Sequence, residues 1–373
     1  MKILIAGDFA PRYRVAAQIE KGDYSCLGEV KPFIQQVDYS IVNLESPVVT
    51  REAKPIEKIG PNLCCTEKAV ECLAQTGFNC VTLANNHFYD YGDEGVADTL
   101  NACERYGIEY IGGGRNITEA SQTFYKNIGD HTLAIINCCE HEYNIATDTF
   151  GGSNPLNSIQ QYYAIQKARK YADYVLVIVH GGHEHWQLPS PRMVETYRFF
   201  IDAGADVVVN HHQHCFSGYE VYNGKLIFYG LGNFCFDIDP IKTDDPWNLG
   251  YLTQIEFTDH AIPSFKIYPY KQCDDAVGVH LLDIDVFDET LTCLNLVISD
   301  NIKLIEKTNQ YYKQSAKKIK FVFEPIQNRI IAGLQHRCVL PSLVSQRWLL
   351  KMKNYIVCES HRDKVYYFLN HQL

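Results

Sequence analysis

The sequence has 373 residues, 46% of them hydrophobic, and a formal net charge of −10 at pH 7. That length suits one large domain with an appendage, or two domains, with enough apolar residues for a full core. The acidic balance, with no basic run denser than Lys317-Lys318-Ile319-Lys320, argues against a nucleic-acid partner, and no apolar run approaches the roughly 18 residues of a transmembrane helix.

In chain order, a first strand is predicted over residues 2–6, stopping at Gly7-Asp8. It is too short an apolar run for a signal sequence. A second strand over 39–42 stops at Asn43-Leu44-Glu45. Residues 46–61, with three prolines and no period, read as a loop. A helix over 67–76 closes at Gly77, and a strand over 79–83 ends at Ala84-Asn85-Asn86-His87. A helix over 94–106 closes at Gly107. Gly112-Gly113-Gly114 lacks the spacing of a phosphate loop and reads as a turn. A strand over 132–137 ends at Cys138-Cys139-Glu140-His141-Glu142. A helix over 159–171 leads to the apolar run 174–179, which breaks into His180-Gly181-Gly182-His183-Glu184. A helix over 192–203 feeds Asp206-Val207-Val208-Val209, followed by Asn210-His211-His212-Gln213-His214. Leu226-Ile227-Phe228-Tyr229 ends at Gly230-Leu231-Gly232-Asn233. Closing strands are expected over 252–257 and 265–270, and a helical pattern from Phe287 onward. We place the domains at 1–275 and 276–373, the latter a helical C-terminal extension. Its helices form either a small separate domain or a layer packed back on the sheet.

Strands and helices alternating through short connections indicate an α/β layered fold. The 14 cysteines include no CxxC pair. They read as reduced core residues rather than a zinc knuckle or a disulfide framework, and a cytoplasmic location is expected.

The polar residues at the strand ends form one constellation. Asp8, Glu45, Asn86, His87, His180, His212 and His214 each follow an apolar run, at the edge where open α/β sheets bind ligands. Singly, Asp8 is a plausible turn former, Asn86 a left-handed turn residue and His180 a satisfied core histidine. Together they make a mixed nitrogen and oxygen set suited to Mn, Zn or Fe, one ion or two. A carboxylate between two ions can bridge them.

Gly7-Asp8, Asn43-Leu44-Glu45, Leu83-Ala84-Asn85-Asn86-His87 with Asp90 and Gly92, Gly204-Ala205-Asp206, His211-His212-x-His214 and Leu231-Gly232-Asn233-Phe234 resemble the CapA family of capsule and poly-γ-glutamate biosynthesis. The fold of that family is that of calcineurin-like metallophosphoesterases. The resemblance covers residues 1 to about 240. It implies a four-layer α/β/β/α sandwich with metal at one edge, held by Asp8, Glu45 (as the bridge), Asn86, His180, His212 and His214, with His87 as general acid to the leaving group. The sequence departs from the family superfold at Ala10, where phosphoesterases carry a metal histidine. One ion thereby loses a ligand, for which His183, His185 and His211 are candidate replacements. For the substrate pocket or the surroundings of the metals, Lys58, Glu140, Glu142, His183, Glu184, Arg192, His211 and Asn233 are candidates. Lys58 and Arg192 are cations for an anionic substrate. The alternative for each is a structural role. The function expected is metal-dependent hydrolysis, most simply of a phosphoester, on an anionic small molecule or polymer, alongside capsule-synthesis proteins. A non-catalytic accessory role and hydrolysis of an amide or ester are the alternatives.

Overall fold

The computed structural model describes residues 1–50, 53–243, 245–258, 262–323, 334, 339 and 345–372. The chain begins with β1 (Lys2–Phe9), β2 (Tyr39–Leu44), β3 (Cys80–Thr82) and β4 (Glu109–Ile111), parallel neighbours in one sheet. A short β5 (Gly113–Gly114) then leads to a second sheet, through β6 (Phe124–Ile128) and β7 (His131–Cys139). β8 (Gly152–Ser153) pairs with β5, and the second sheet continues with β9 (Tyr174–His180), β10 (Val207–His211), β11 (Tyr219–Tyr222) and β12 (Lys225–Phe228). The chain returns to the first sheet as β13 (Asn233–Cys235), β14 (Leu249–Glu256), β15 (Ser264–Gln272) and β16 (Val279–Leu281). The first sheet runs β16-β15-β14-β1-β2-β3-β4 with β13 beside β1; the second runs β11-β12-β10-β9-β7-β6.

Both faces of the central strands are apolar because both are covered. In β1, Ile3 and Ile5 face the second sheet, while Leu4 and Ala6 face the helices Tyr13–Glu20, Glu67–Thr76 and Gly92–Tyr106. In β9, Leu176 and Ile178 face the first sheet, while Val175, Val177 and Val179 meet the helices Ser158–Ala168 and Pro191–Asp202. Helix, sheet, sheet, helix is thus the observed layering, as expected of the fold class. Helices Asp285–Ser299, Asn301–Phe323, Gln346–Val357 and Glu359–Gln372 follow β16. They pack back on the sheets: Phe287 and Leu291 enter the core between the sheets, and Ile298 and Leu304 the core outside the second one. Among the described residues every cysteine is free and most are buried, and no helix is long and apolar enough to cross a membrane.

The predicted elements correspond closely to these. The helix Glu67–Thr76 has the expected bounds, closed by Gly77 at φ 109°. The second strand runs on to Leu44, which puts Asn43 inside it. The helix Tyr13–Glu20 and the edge strands β6 and β11 had no clear sequence signal, being short and half exposed.

Near its carboxyl end β1 pairs in parallel with β13 of the same sheet. The register of β1 slips around Gly7 and Asp8, a bulge that re-aims the following side chain. A Cβ on Gly7 would lie 1.9 Å from the Gly232 carbonyl oxygen, which accepts the Asp8 amide at 3.2 Å. Gly7→Ala is therefore expected to destabilise the fold by about 1–3 kcal/mol, the usual range for overpacking. Urea unfolding would measure it, and an unchanged midpoint would contradict this reading of the bulge.

Candidate metal centre

The parallel strands of both sheets deliver their carboxyl ends to one edge. Asp8 leaves β1, Glu45 follows β2, His180 ends β9, and His212 follows β10. Asp8 Oδ1 accepts Asn43 Nδ2 at 2.7 Å and Oδ2 accepts the His212 amide at 3.2 Å. Asn43 Nδ2 also lies 3.3 Å from His180 Nδ1. Asn43 was not among the predicted site residues; a polar residue within an apolar strand was the signal for it.

Glu45 is wholly buried, and neither carboxylate oxygen has a hydrogen-bond partner. Around its Oε1 stand His180 Nε2 at 3.7 Å, His214 Nε2 at 3.7 Å and His87 Nε2 at 4.0 Å. These spacings are long for hydrogen bonds. The two 3.7 Å spacings fit ligands that share an ion with Glu45, since two atoms each about 2 Å from one metal lie between about 3 and 4 Å apart. Two groups of donor atoms lie within 4.8 Å of one another: Glu45 with His180 and His212, and Asp8 with Glu45 and His214. Asn86 Oδ1, 2.9 Å from His180 Nε2, extends the first group. The backbone gives the same emphasis. His212 and His214 hold φ of 91° and 55°, a left-handed conformation that costs a non-glycine residue on the order of 1–3 kcal/mol.

Electrostatics makes the unliganded centre costly. Burial, reinforced by the Asp8 and Glu184 charges, raises Glu45 well above the usual carboxylate range. Burial also raises Asp8, against the pull of His214 and the bonds from Asn43 and His212. Burial drives His180 well down, helped by its imidazole neighbours, and takes His214 to about 3. Neutral imidazole is the ligand form, and a cation would restore the carboxylates to their charged form. A divalent transition ion therefore fits the donor set.

The remaining predicted residues divide by role. His87 Nδ1 lies 2.7 Å from Asp90 Oδ2, which fixes the ring and turns Nε2 toward Glu45. Lys58 is buried in an ion pair with Asp90 and reaches His87 Nδ1 at 3.2 Å. Its charge is thus held against the protein's own groups. Arg192 forks onto Glu140 at 2.7 Å and Asp363 at 2.9 Å, so both partners are carboxylates of the chain. Glu142 accepts Asn86 Nδ2 at 3.2 Å and so orients that amide. Asn233 Oδ1 does the same for His214 at Nδ1, 2.9 Å away.

Ala10 is buried beside Leu63, Phe236 and Trp247, so apolar packing occupies the place of the missing ligand. Of the imidazoles considered as replacements, His183 bonds the Tyr312 hydroxyl at 2.9 Å, His185 lies against Trp247, and His211 is buried with both ring nitrogens unpartnered. Glu184 is the residue that comes within ligand spacing of His212 and His214. The loop after β9 determines that position, and strand periodicity carries no information about it.

The family model described as bacterial capsule synthesis protein PGA_cap matches residues 2–238. The chain is 33% identical over 248 residues to the capsule biosynthesis protein CapA of Bacillus anthracis, covering 64% of this chain and 59% of that protein. It is 30% identical over 261 residues to the PGA biosynthesis protein CapA of Bacillus subtilis (strain 168), covering 69% and 68%. The chain thus spans less than two thirds of the B. anthracis protein's length. A solved structure of a putative 5′-nucleotidase from Staphylococcus aureus aligns over 80% of this chain and 58% of its own, with 13% identity and a TM-score of 0.44. Matched over most of its length by that model, and with the B. subtilis relative aligned along two thirds of its own length, the chain belongs to the PGA_cap family of bacterial capsule synthesis proteins.

Proposed function

We propose that this chain is a metal-dependent hydrolase of the phosphoesterase type, acting on an anionic small molecule or polymer in capsule, poly-γ-glutamate or related surface-polymer synthesis, together with other synthesis proteins. The observation that carries this reading is the buried, unpartnered carboxylate of Glu45, set between two groups of nitrogen and oxygen donors. Glu45, Asn86, His180 and His212 would hold one ion, and Asp8, Glu45 and His214 the other, with Glu184 in reach of the second. Such ions supply Lewis acidity toward a phosphoryl oxygen and lower the pKa of water.

The chain's own groups do the rest. Asp90 holds His87 so that Nε2 faces the centre, from where a proton can pass to the leaving oxygen. Glu142 steadies Asn86, and Asn43 steadies Asp8. An accessory, non-catalytic role is the second reading. Ala10 favours it, because apolar packing in place of a ligand leaves one ion less firmly held.

His87→Ala should leave metal content near wild type and lower turnover of an alkyl phosphate ester by about 100-fold or more. The loss should shrink for an aryl phosphate, whose anion leaves without a proton. Loss of metal from this variant would refute the role assigned to His87, and unchanged hydrolysis would favour the accessory reading.

The pH dependence follows from the same ring. Burial and then the Lys58 charge press His87 below its ordinary 6.5, while Asp90 resists. The protonated acid is present below that pKa and lost above it, and bound cations push in the same direction. Activity toward an alkyl ester is therefore expected to fall as pH rises through a value under 6.5. Lys58→Met should shift this limb to higher pH, and an unmoved limb would remove His87 from the profile.

Glu45→Gln separates fold from metal. In metal-free protein at neutral pH it removes a buried, unpartnered carboxyl group whose charged form is disfavoured by burial, and is expected to stabilise by roughly 1–3 kcal/mol. In metal-loaded protein it is expected to destabilise. Thermal melts with and without Mn would show the reversal, and the same sign in both would count against an ion at Glu45.

A further inference from the structure

The C-terminal helices bring a second set of donors to the rim of the centre. Glu142 follows β7, Cys358 joins the helices Gln346–Val357 and Glu359–Gln372, and His361 lies in the first turn of the latter. One donor atom from each lies within 4.8 Å of the others. Cys358 is 1% exposed. At the same place two buried atoms have no hydrogen-bond partner, His361 Nδ1 and Asn354 Oδ1. Asn354 Nδ2 donates to Glu142 Oε1 at 3.3 Å, so this amide is already anchored beside the cluster. Unpaired polar atoms in an interior are costly and uncommon, and two that adjoin a thiol, a carboxylate and an imidazole point to a ligand.

From this geometry we infer that Glu142, Cys358 and His361 form a further metal site, separate from the centre around Glu45, that takes a zinc-class ion and ties the C-terminal helices to the catalytic edge. Sulfur, nitrogen and oxygen donors together select zinc over the hard cations, and Asn354 Oδ1 or water would complete a four-coordinate shell. The scaffold is firm. Ser360 N donates to Glu140 Oε2 at 3.2 Å, His141 Nδ1 lies 2.7 Å from Glu359, and Arg192 joins Glu140 to Asp363. The cation already nearby is Lys364, held over the Tyr311 ring at 5.0 Å. Among the described residues no hydrogen bond or ion pair joins it to Glu142, whose carboxylate accepts from two amides. Burial, with Glu142 and Glu140, holds the Cys358 thiol well above its usual range, a cost that an ion would reverse. Through Glu142 and Asn86 the site would also communicate with the centre, since one carboxylate orients an amide of the other group.

The test uses cobalt(II), added to the full chain after removal of metals, because a thiolate ligand gives cobalt a charge-transfer absorption in the near ultraviolet. Neither donor group around Glu45 contains a cysteine. Wild type should show the band and Cys358→Ser should not, while His361→Ala should need at least about 10-fold more cobalt to reach it. Serine preserves the size of the side chain and its contact with Ser360, and a melting temperature on each variant guards against loss of fold. Glu45→Gln should keep the band. No band in wild type, or a band that survives Cys358→Ser, would overturn the site. Loss of the band in Glu45→Gln would place the thiolate at the main centre and overturn its separateness. The result does not depend on hydrolysis, so an inactive protein with the band intact would refute only the proposed activity.

Discussion

A carboxylate wholly buried without a partner is the constraint around which this structure is organised. Glu45 has no exposure and no hydrogen bond. A protein interior tolerates such a group when a cation compensates it. The surrounding features make sense as the means of providing one. The bulge at Gly7 brings Asp8 to the sheet edge, the ends of β2 and β9 place Glu45 and His180, and two histidines accept left-handed backbone to face the same point.

The centre differs from a symmetric two-ion site in a specific way. Where a second histidine would leave the first strand, Ala10 packs against Leu63, Phe236 and Trp247. The Asp8 side of Glu45 therefore has fewer donors than the His180 side, which Asn86 extends. Glu184, from the loop after β9, stands within ligand spacing of His212 and His214 and would make up the shortfall with an oxygen.

Much of the sandwich, and the polar residues at its strand ends, were legible in the sequence because parallel strands buried on both faces are continuous apolar runs. Such a run ends visibly when it meets Asp8, Glu45 or His180. The helices Glu67–Thr76 and Pro191–Asp202 announced themselves by period and by glycine or proline punctuation. What was illegible depends on contacts between segments far apart in the chain. Lys58 looks like a free cation in its loop until the fold pairs it with Asp90, and Arg192 until it meets Glu140 and Asp363. Cys358 and His361 sit in a helical pattern with no strand-end signal, and their meeting with Glu142 is a matter of how the last helices dock. That docking also places Tyr311 on Trp186, with ring centroids 4.4 Å apart, and Tyr312 on His183. The C-terminal helices thus pack against the loop that follows β9 and His180.

The account turns on whether Glu45 is a metal ligand. Crystals of the freshly purified protein, measured across the manganese, iron and zinc absorption edges, would locate any ion by its anomalous scattering. The expected result is a peak about 2.0–2.2 Å from a Glu45 oxygen, with His180, His212 or His214 completing its shell. Crystals grown with these metals in excess, in which Glu45 contacts no ion and its oxygens bond to water or to a neighbouring side chain, would contradict it.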